Sequence, residues 1–290
     1  MPELPEVETI VRYLREGAGG RPALPGRIAA TPHVFWERSL AIPGLAEFQQ
    51  RLPGQRLGEI TRRGKFLLLH FERDVLLFHL RMSGDLLTET GSASGRQTPI
   101  VEESKSQYKP AHIRCIVDFE DGVRLVFVDP RKFGRLWLVR DAQKVVGGLG
   151  PEPLEPAFTA ADFFARLSAQ RRQLKPLLLD QGFLAGLGNI YTDEALFQAK
   201  LHPCQTANML AFDQAKILLE AIRSVLTKAI AHQGASIDWI YRGGDFQNYI
   251  RVYQRTGQPC LNCGTPIERR IIGQRGTHFC PNCQRIVNRP

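Results

Sequence analysis

Apolar residues recur along this chain in two different rhythms. Between residues 5 and 16, Val7, Ile10, Val11 and Leu14 fall at helical spacing, with Pro5 and Glu6 suited to a first turn. Between residues 56 and 140 the rhythm shortens. "KFLLLHF", "VLLFHL", "IRCIVDF", "VRLVFVD" and "GRLWLV" are brief, β-rich and separated by turn formers such as "ERD" and "EDG". This pattern predicts a β-sandwich or flattened barrel covered by the N-terminal helix. Residues 89–110, "ETGSASGRQTPIVEESKSQYKP", are small and polar and read as a long mobile loop.

The run "GGLGPEPLEP" at 147–156 reads as a linker, and after it the period becomes helical. "TAADFFARLSAQ" offers Thr159 as an N-cap. "NIYTDEALFQA" follows, then "LAFDQAKILLEAIRSVLTKAIAHQG", which closes at Gly234 as helices often do. Residues 235–258 read as a loop, a cysteine-rich tail ends the chain, and no internal repeat is visible. The expectation is an α+β multidomain protein: a β-sandwich with its helix over 1–146, a linker at 147–157, a helical domain over 158–258 and a finger over 259–290.

Composition narrows the partners. With 290 residues the chain has room for about two ordinary domains, and 43% hydrophobic content suffices for real cores. Lys and Arg number 38 against 29 Asp and Glu, an excess of nine that favours a polyanion. No stretch approaches the roughly 18 apolar residues of a membrane span. The first ten residues carry three glutamates and no basic residue, unlike a secretion signal. A cytoplasmic protein with no membrane partner is therefore expected.

The tail places "CLNC" and "CPNC" sixteen residues apart. Cys260, Cys263, Cys280 and Cys283 are thus two pairs at the spacing that surrounds one tetrahedral zinc. A metal substitutes for the core that about thirty residues cannot supply. Arg269, Arg270, Arg275, Arg285 and Arg289 lie among these pairs against Glu268 alone. That balance fits a phosphate-binding finger, or simply a solvated basic face. Cys115 sits in an apolar strand pattern and reads as core, and Cys204 has no neighbouring ligands in sequence. In "DQGFLAGLGNIYTDEALF" (180–197), Gly182, Gly186 and Gly188 precede a helix. They fit either a tight turn between helices or a helix N-terminus that seats a phosphate, with Asn189 as an added donor.

Several stretches together carry a more specific signal. "PELPEVET" (2–9), "RRGKFLLL" (62–69), "HLRMSG" (79–84), "DPRKFGRLWL" (129–138), "LGPEPL" (149–154), "LKPLLLDQ" (174–181) and "GLGNIYTDEALF" (186–197) stand in order, followed by the finger from "GQPC" to "CQR". The chain closely resembles the bacterial formamidopyrimidine-DNA glycosylase family, base-excision enzymes for oxidised purines. The resemblance implies an N-terminal β-sandwich, a helix–two-turn–helix domain and a zinc finger, with damaged duplex DNA in the cleft between the domains. It further implies a monomeric, nucleoid-associated enzyme with one structural zinc and abasic-site lyase activity.

The resemblance also assigns roles. Pro2, once Met1 is removed, is the nucleophile, because proline alone has a secondary α-amine, and α-amines titrate near 7.7–8.0. Glu3 is the general acid/base, Glu6 supports the helix start, and Lys65 reaches the lesion phosphate or base. Met82, Arg131 and Phe133 fill the void left by a flipped base. Lys175, Asn189 and Arg275 clamp phosphates, and His112 is a further DNA contact. Tyr191 and Glu194 share the motif, Glu194 as an orienting residue. Read on their own, "PELPE" is a capped helix start, Met82 a core residue and Phe133 the end of a strand. Arg81 stands where glycine is expected, the 89–110 loop is longer than usual, and "GASIDWIYRGGDFQNYI" (234–250) matches loosely, leaving lesion preference open. Two rivals are an endonuclease VIII-type enzyme for oxidised pyrimidines and a non-catalytic zinc-ribbon DNA-binding protein.

Overall fold

The computed structural model describes residues 1–90, 109–236 and 243–286. Most of the long polar loop and part of the loosely matching segment, like Arg289, lie outside them. The chain forms two compact units.

The first unit comprises Met1–Pro2 and Glu6–Gly147. Two sheets build it. Strands β1 (Ala29–Val34), β7 (Ile113–Phe119), β8 (Val123–Val128) and β6 (Asp85–Thr90) pair in that order. The second sheet has the order β2 (Leu40–Ile42), β9 (Arg135–Val139), β5 (Val75–His79), β4 (Phe66–Phe71) and β3 (Leu57–Arg63). Alternation explains the core: Leu67, Leu69 and Phe71, then Leu76, Phe78 and Leu80, and Leu136 and Leu138 enter one cluster from the five-stranded sheet. Cys115, Val117, Phe119, Leu125, Phe127 and Leu86 meet them from the other, so Cys115 is the core residue its pattern suggested. Helix α1 (Leu4–Glu16) adds Val7, Ile10, Val11 and Leu14 to the same cluster, and two short helices, α2 (Leu45–Arg51) and α3 (Gln143–Val146), complete the unit. Each such side chain contributes about 1.5–3 kcal/mol of burial free energy.

The five strands that alternation predicts are β4, β5, β7, β8 and β9. The four edge strands, β1, β2, β3 and β6, are absent from the sequence reading; β1 carries Pro32, and its register with β7 shifts between Ala29 and Pro32. Proline cannot donate to a ladder and is confined to such edges.

The described residues of the second unit are Glu3–Pro5, Gly148–Ser236 and those from Gly243 on. Helix α4 (Ala160–Ser168) begins at Thr159, whose hydroxyl and the Asp162 carboxylate form a reciprocal capping box. Helix α7 (Phe212–Ala231) ends where Gly234, at φ +79°, returns its N–H to the Ala229 carbonyl at 2.8 Å. Between them lie α5 (Leu174–Leu178) and α6 (Asn189–Gln198). Helix α6 is buried continuously from Tyr191 to Phe197, polar residues included. The tail forms a hairpin of β10 (Glu268–Ile272) and β11 (Arg275–Phe279). Among the described residues no helix is long and apolar enough to cross a membrane.

Candidate active site and nucleic-acid interface

In the first unit, Pro2 is buried while Met1 is 41% exposed. Lys65 occupies the two-residue turn between β3 and β4, where Arg63 pairs with Phe66 and Gly64 supplies φ +56°. Lys65 is itself buried, and its charge reaches His79 at the end of β5. Burial, reinforced by the charges of Arg81 and Lys65, pushes His79 down to about 3. Its ring is therefore neutral, and Nδ1 accepts the Arg81 N–H at 3.1 Å. That contact starts the "RMSG" turn. Arg81 takes φ +54°, which gives the physical reason for expecting glycine there.

Met82 is half-buried, and Arg131 and Phe133 are exposed on the loop between β8 and β9. The Arg131 guanidinium lies 5.1 Å from the centre of the Phe133 ring. A side chain outside the expected set joins these two loops. Asp129 is fully buried, and its carboxylate accepts the Ser83 hydroxyl, the Arg131 N–H at 3.2 Å and the Gly134 N–H at 2.7 Å. Gly134 leaves room for the Phe127 ring, which a Cβ would approach to 2.4 Å. His112 is tied to the start of the same loop. Its carbonyl accepts the Asp129 N–H, and its Nδ1 is buried with no hydrogen-bond partner among the described residues.

In the second unit the glycine-rich turn does something the sequence does not announce. Gly188 N–H and Ile190 N–H, the free donors at the start of α6, both point at the Glu3 carboxylate, at 2.6 and 3.0 Å. Of the two readings of this turn, a tight connection between helices and a seat for a phosphate, the first fits: the Glu3 carboxylate already occupies the helix N-terminus. The glycines make room for it. A Cβ on Gly188 would lie 2.3 Å from Glu3 Cδ, and one on Gly186 would lie 2.6 Å from Leu4 Cδ1. The Leu4 N–H is bonded to the Gly186 carbonyl at 3.1 Å, so the turn holds the Glu3–Leu4 backbone as well as its carboxylate.

Lys175, expected as a phosphate clamp, is instead fully buried. Its Nζ donates to Asp193 Oδ1 at 2.6 Å and to the Asn189 carbonyl at 3.0 Å. Burial lowers the lysine below its ordinary value, while Asp193 and Glu3 pull the other way. The other Asp193 oxygen accepts the His278 N–H at 2.9 Å, which ties α6 to strand β11. Asn189 and Arg275 do come together: the Asn189 amide donates to the carbonyl of Gly276 at 2.9 Å, one residue beyond exposed Arg275. Glu194 accepts three consecutive N–H groups, from Arg251, Val252 and Tyr253, and anchors the strand of chain leading to the finger. Tyr191 is fully buried, its ring 5.4 Å from Phe246, and is a packing residue here.

The finger cysteines converge. Their four Sγ atoms lie within 4.8 Å of one another. Cys260–Cys283, Cys263–Cys280 and Cys263–Cys283 are separated by 3.9, 3.5 and 3.4 Å. Zn–S bonds of about 2.3 Å in a tetrahedron require sulfur separations of about 3.8 Å, so the set fits one zinc ion. Cys260 and Cys280 also pack with Phe197, Val252 and Ile267, which joins the metal site to α6. Of the finger arginines, Arg270 is paired with Glu268 at 2.7 Å.

Three family models match this chain in series. Residues 1–136 match the formamidopyrimidine-DNA glycosylase N-terminal domain, 149–240 the H2TH domain of that enzyme, and 257–286 a zinc finger found in FPG and IleRS. A formamidopyrimidine-DNA glycosylase of Protochlamydia amoebophila is 40% identical over 294 residues, covering 98% of this chain and all of the relative. One from Heliobacterium modesticaldum is 42% identical, again over 98% of this chain and all of its own length. The Lactococcus lactis Fpg in complex with abasic-site DNA has a TM-score of 0.83 at 33% identity, over 97% of this chain and 99% of its own. MutM in complex with carbocyclic 8-oxo-G DNA gives 0.83 at 35% identity, over 98% of this chain and 99% of its own.

Proposed function

Because the chain belongs to the formamidopyrimidine-DNA glycosylase family, we propose that it excises oxidised purines, 8-oxoguanine and formamidopyrimidines, from damaged duplex DNA and then cleaves the abasic strand. One observation carries the reading: the carboxylate directly after Pro2 is locked by two backbone donors at the head of α6. A carboxylate held that firmly beside a secondary amine suits proton transfer at the sugar that the amine attacks.

In the proposed mechanism the Pro2 nitrogen attacks C1′ of the lesion nucleotide. The glycosidic bond breaks, the base leaves with a proton, and the sugar ring opens to an iminium. Glu3 carries the proton at the ring oxygen. The iminium draws electrons from C2′, so loss of a C2′ proton expels the 3′ phosphate. A second elimination releases the 5′ side, and hydrolysis returns the free amine. With Met1 attached, the Pro2 nitrogen is an amide with no available lone pair, so the active form is the chain from which exposed Met1 has been removed. Glu6 supports the helix start, and Lys65 approaches the lesion phosphate or base.

Extrusion of the base is assigned to Met82, Arg131 and Phe133, with Arg131 facing the orphaned partner. Asn189 and Arg275 contact the phosphate backbone, His112 adds a further contact, and Lys175 acts from behind by fixing Asp193 and the Asn189 backbone. The finger holds one structural zinc on Cys260, Cys263, Cys280 and Cys283 and presents Arg275. We assign three domains, 1–146, 158–258 and 259–290, joined at 147–157, in a monomer that works in the bacterial cytoplasm at the nucleoid.

Cleavage of duplexes carrying 8-oxoguanine, a formamidopyrimidine or thymine glycol tests the reading. Rapid excision of the two purine lesions and slow excision of thymine glycol is expected. The reverse order would place the chain with the pyrimidine-directed enzymes, and no cleavage of any would leave a DNA-binding protein.

A further inference from the structure

Both loops that carry the base-replacing side chains hold backbone conformations that side chains disfavour. Arg81, directly before Met82, has φ +54°, and Lys132, between Arg131 and Phe133, has φ +61°. Non-glycine residues remain in this region only where their surroundings over-determine them. Asp129 supplies much of that determination. One carboxylate oxygen accepts the Ser83 hydroxyl and the Arg131 N–H, and the other accepts the Gly134 N–H. The Asp129 carbonyl takes the Lys132 N–H at 3.3 Å and Arg114 Nε at 2.8 Å. The Ser83 oxygen in turn accepts the Arg131 N–H at 3.2 Å. Both loops also end on glycines where a side chain would force the packing to shift: a Cβ on Gly84 would meet the Leu80 carbonyl at 2.6 Å, and one on Gly134 would meet the Phe127 ring at 2.4 Å.

We propose that Ser83 and Asp129 are positioning residues for base extrusion, locking residues 80–84 and 129–134 into a single preformed wedge. The inference rests on the reading of Met82, Arg131 and Phe133 as base-replacing residues. Its physical content is preorganisation. A wedge already ordered in the free protein spends no binding energy on aligning three side chains from two loops. Neither Ser83 nor Asp129 is assigned a contact with the DNA or the reacting atoms. Both are buried, and they act through the backbone of Arg131 and Gly134 and through the turn that presents Met82.

Ser83→Ala and Ser83→Thr in the full, zinc-loaded, Met1-processed chain test this. Ser83→Ala removes one hydroxyl and leaves Asp129 its two main-chain donors, so the fold is retained. Single-turnover excision of 8-oxoguanine opposite cytosine should fall about tenfold, less than the roughly hundredfold of a misplaced catalytic group because the main-chain donors to Asp129 remain. The preference for cytosine over adenine opposite the lesion should narrow, because it is read through Arg131. Lyase cleavage of a preformed abasic site should stay within about twofold of wild type, since no base has to be expelled. Ser83→Thr restores the hydroxyl and should recover most of the excision rate. Ser83→Ala equal to wild type on both substrates, equal losses on both, or failure of Ser83→Thr to recover excision would each overturn the proposal. A wild-type protein that leaves 8-oxoguanine in place would instead defeat the functional reading, and the inference with it.

Discussion

Replacing Gly188 by alanine should leave a folded, DNA-binding protein that excises 8-oxoguanine about a hundredfold more slowly, the scale of a misplaced catalytic group. The backbone at Gly188 is ordinary, with φ −131° and ψ −158°, so alanine meets no conformational penalty there. Space is the obstacle. The added Cβ would lie 2.3 Å from Glu3 Cδ and 2.4 Å from Oε1, well inside contact distance. The cheapest relief is rotation of the Glu3 side chain off the α6 N-terminus, which breaks both of its backbone hydrogen bonds. Glu3→Gln makes the same point by chemistry rather than volume. Its amide nitrogen would have to face one of two N–H donors, and it cannot take up a proton. Loss of a positioned acid/base lowers rates by about 10²–10⁴-fold, so Glu3→Gln should be the more severe of the two. Equilibrium binding to a lesion duplex, measured beside single-turnover excision, separates the effects. Wild-type excision by folded Gly188→Ala protein would mean that capping of α6 by Glu3 plays no part in the chemistry.

The second large effect separates flipping from bond breaking. Extruding a base costs a few kcal/mol in lost stacking and pairing. Side chains that fill the hole offset that cost only where a base had to be expelled. The triple variant Met82→Ala, Arg131→Ala, Phe133→Ala should therefore lose on the order of a hundredfold in 8-oxoguanine excision from duplex DNA, since each tenfold is about 1.4 kcal/mol. It should keep much more of its lyase activity on a preformed abasic site, which depends on Pro2 and Glu3. Phe133 is 51% exposed and Arg131 is exposed beside it, so their truncation spares the core, and retained trapping on the abasic substrate checks that the loss of half-buried Met82 leaves the fold intact. Equal losses on the two substrates would show that these residues do not act through flipping.

Much of this architecture is legible in the sequence because its signals are local. Two-residue alternation marks the central strands, where one face is buried, and Thr159 and Gly234 mark helix ends by side-chain and backbone chemistry whose partners lie within a turn or two of the chain. The cysteine spacing specifies its ligand geometry almost unaided. What escaped reading is whatever depends on distant partners. Edge strand β1 carries Pro32 and little alternation. Lys175 looks like a surface cation until Asp193, eighteen residues on, is seen to neutralise it inside the protein. Asp129 sits in a visible motif, but its burial and its hold on Ser83, forty-six residues away, come only from the fold. In sequence the glycines at 186 and 188 fit a tight turn or room for a phosphate. They are room for Leu4 and Glu3, about 185 residues earlier in the chain. The Arg81 anomaly carried a usable signal, since a position that prefers glycine is one that needs positive φ.

The central claim is that the Pro2 amine forms a covalent iminium with the lesion sugar, and reductive trapping tests it most directly. Borohydride added during reaction with an 8-oxoguanine duplex should convert the intermediate to a stable protein–DNA adduct. Peptide mass mapping should place the cross-link on an N-terminal peptide beginning at Pro2, and protein retaining Met1 should give none. An adduct mapped to a lysine, or efficient excision by processed enzyme with no adduct at all, would contradict the account.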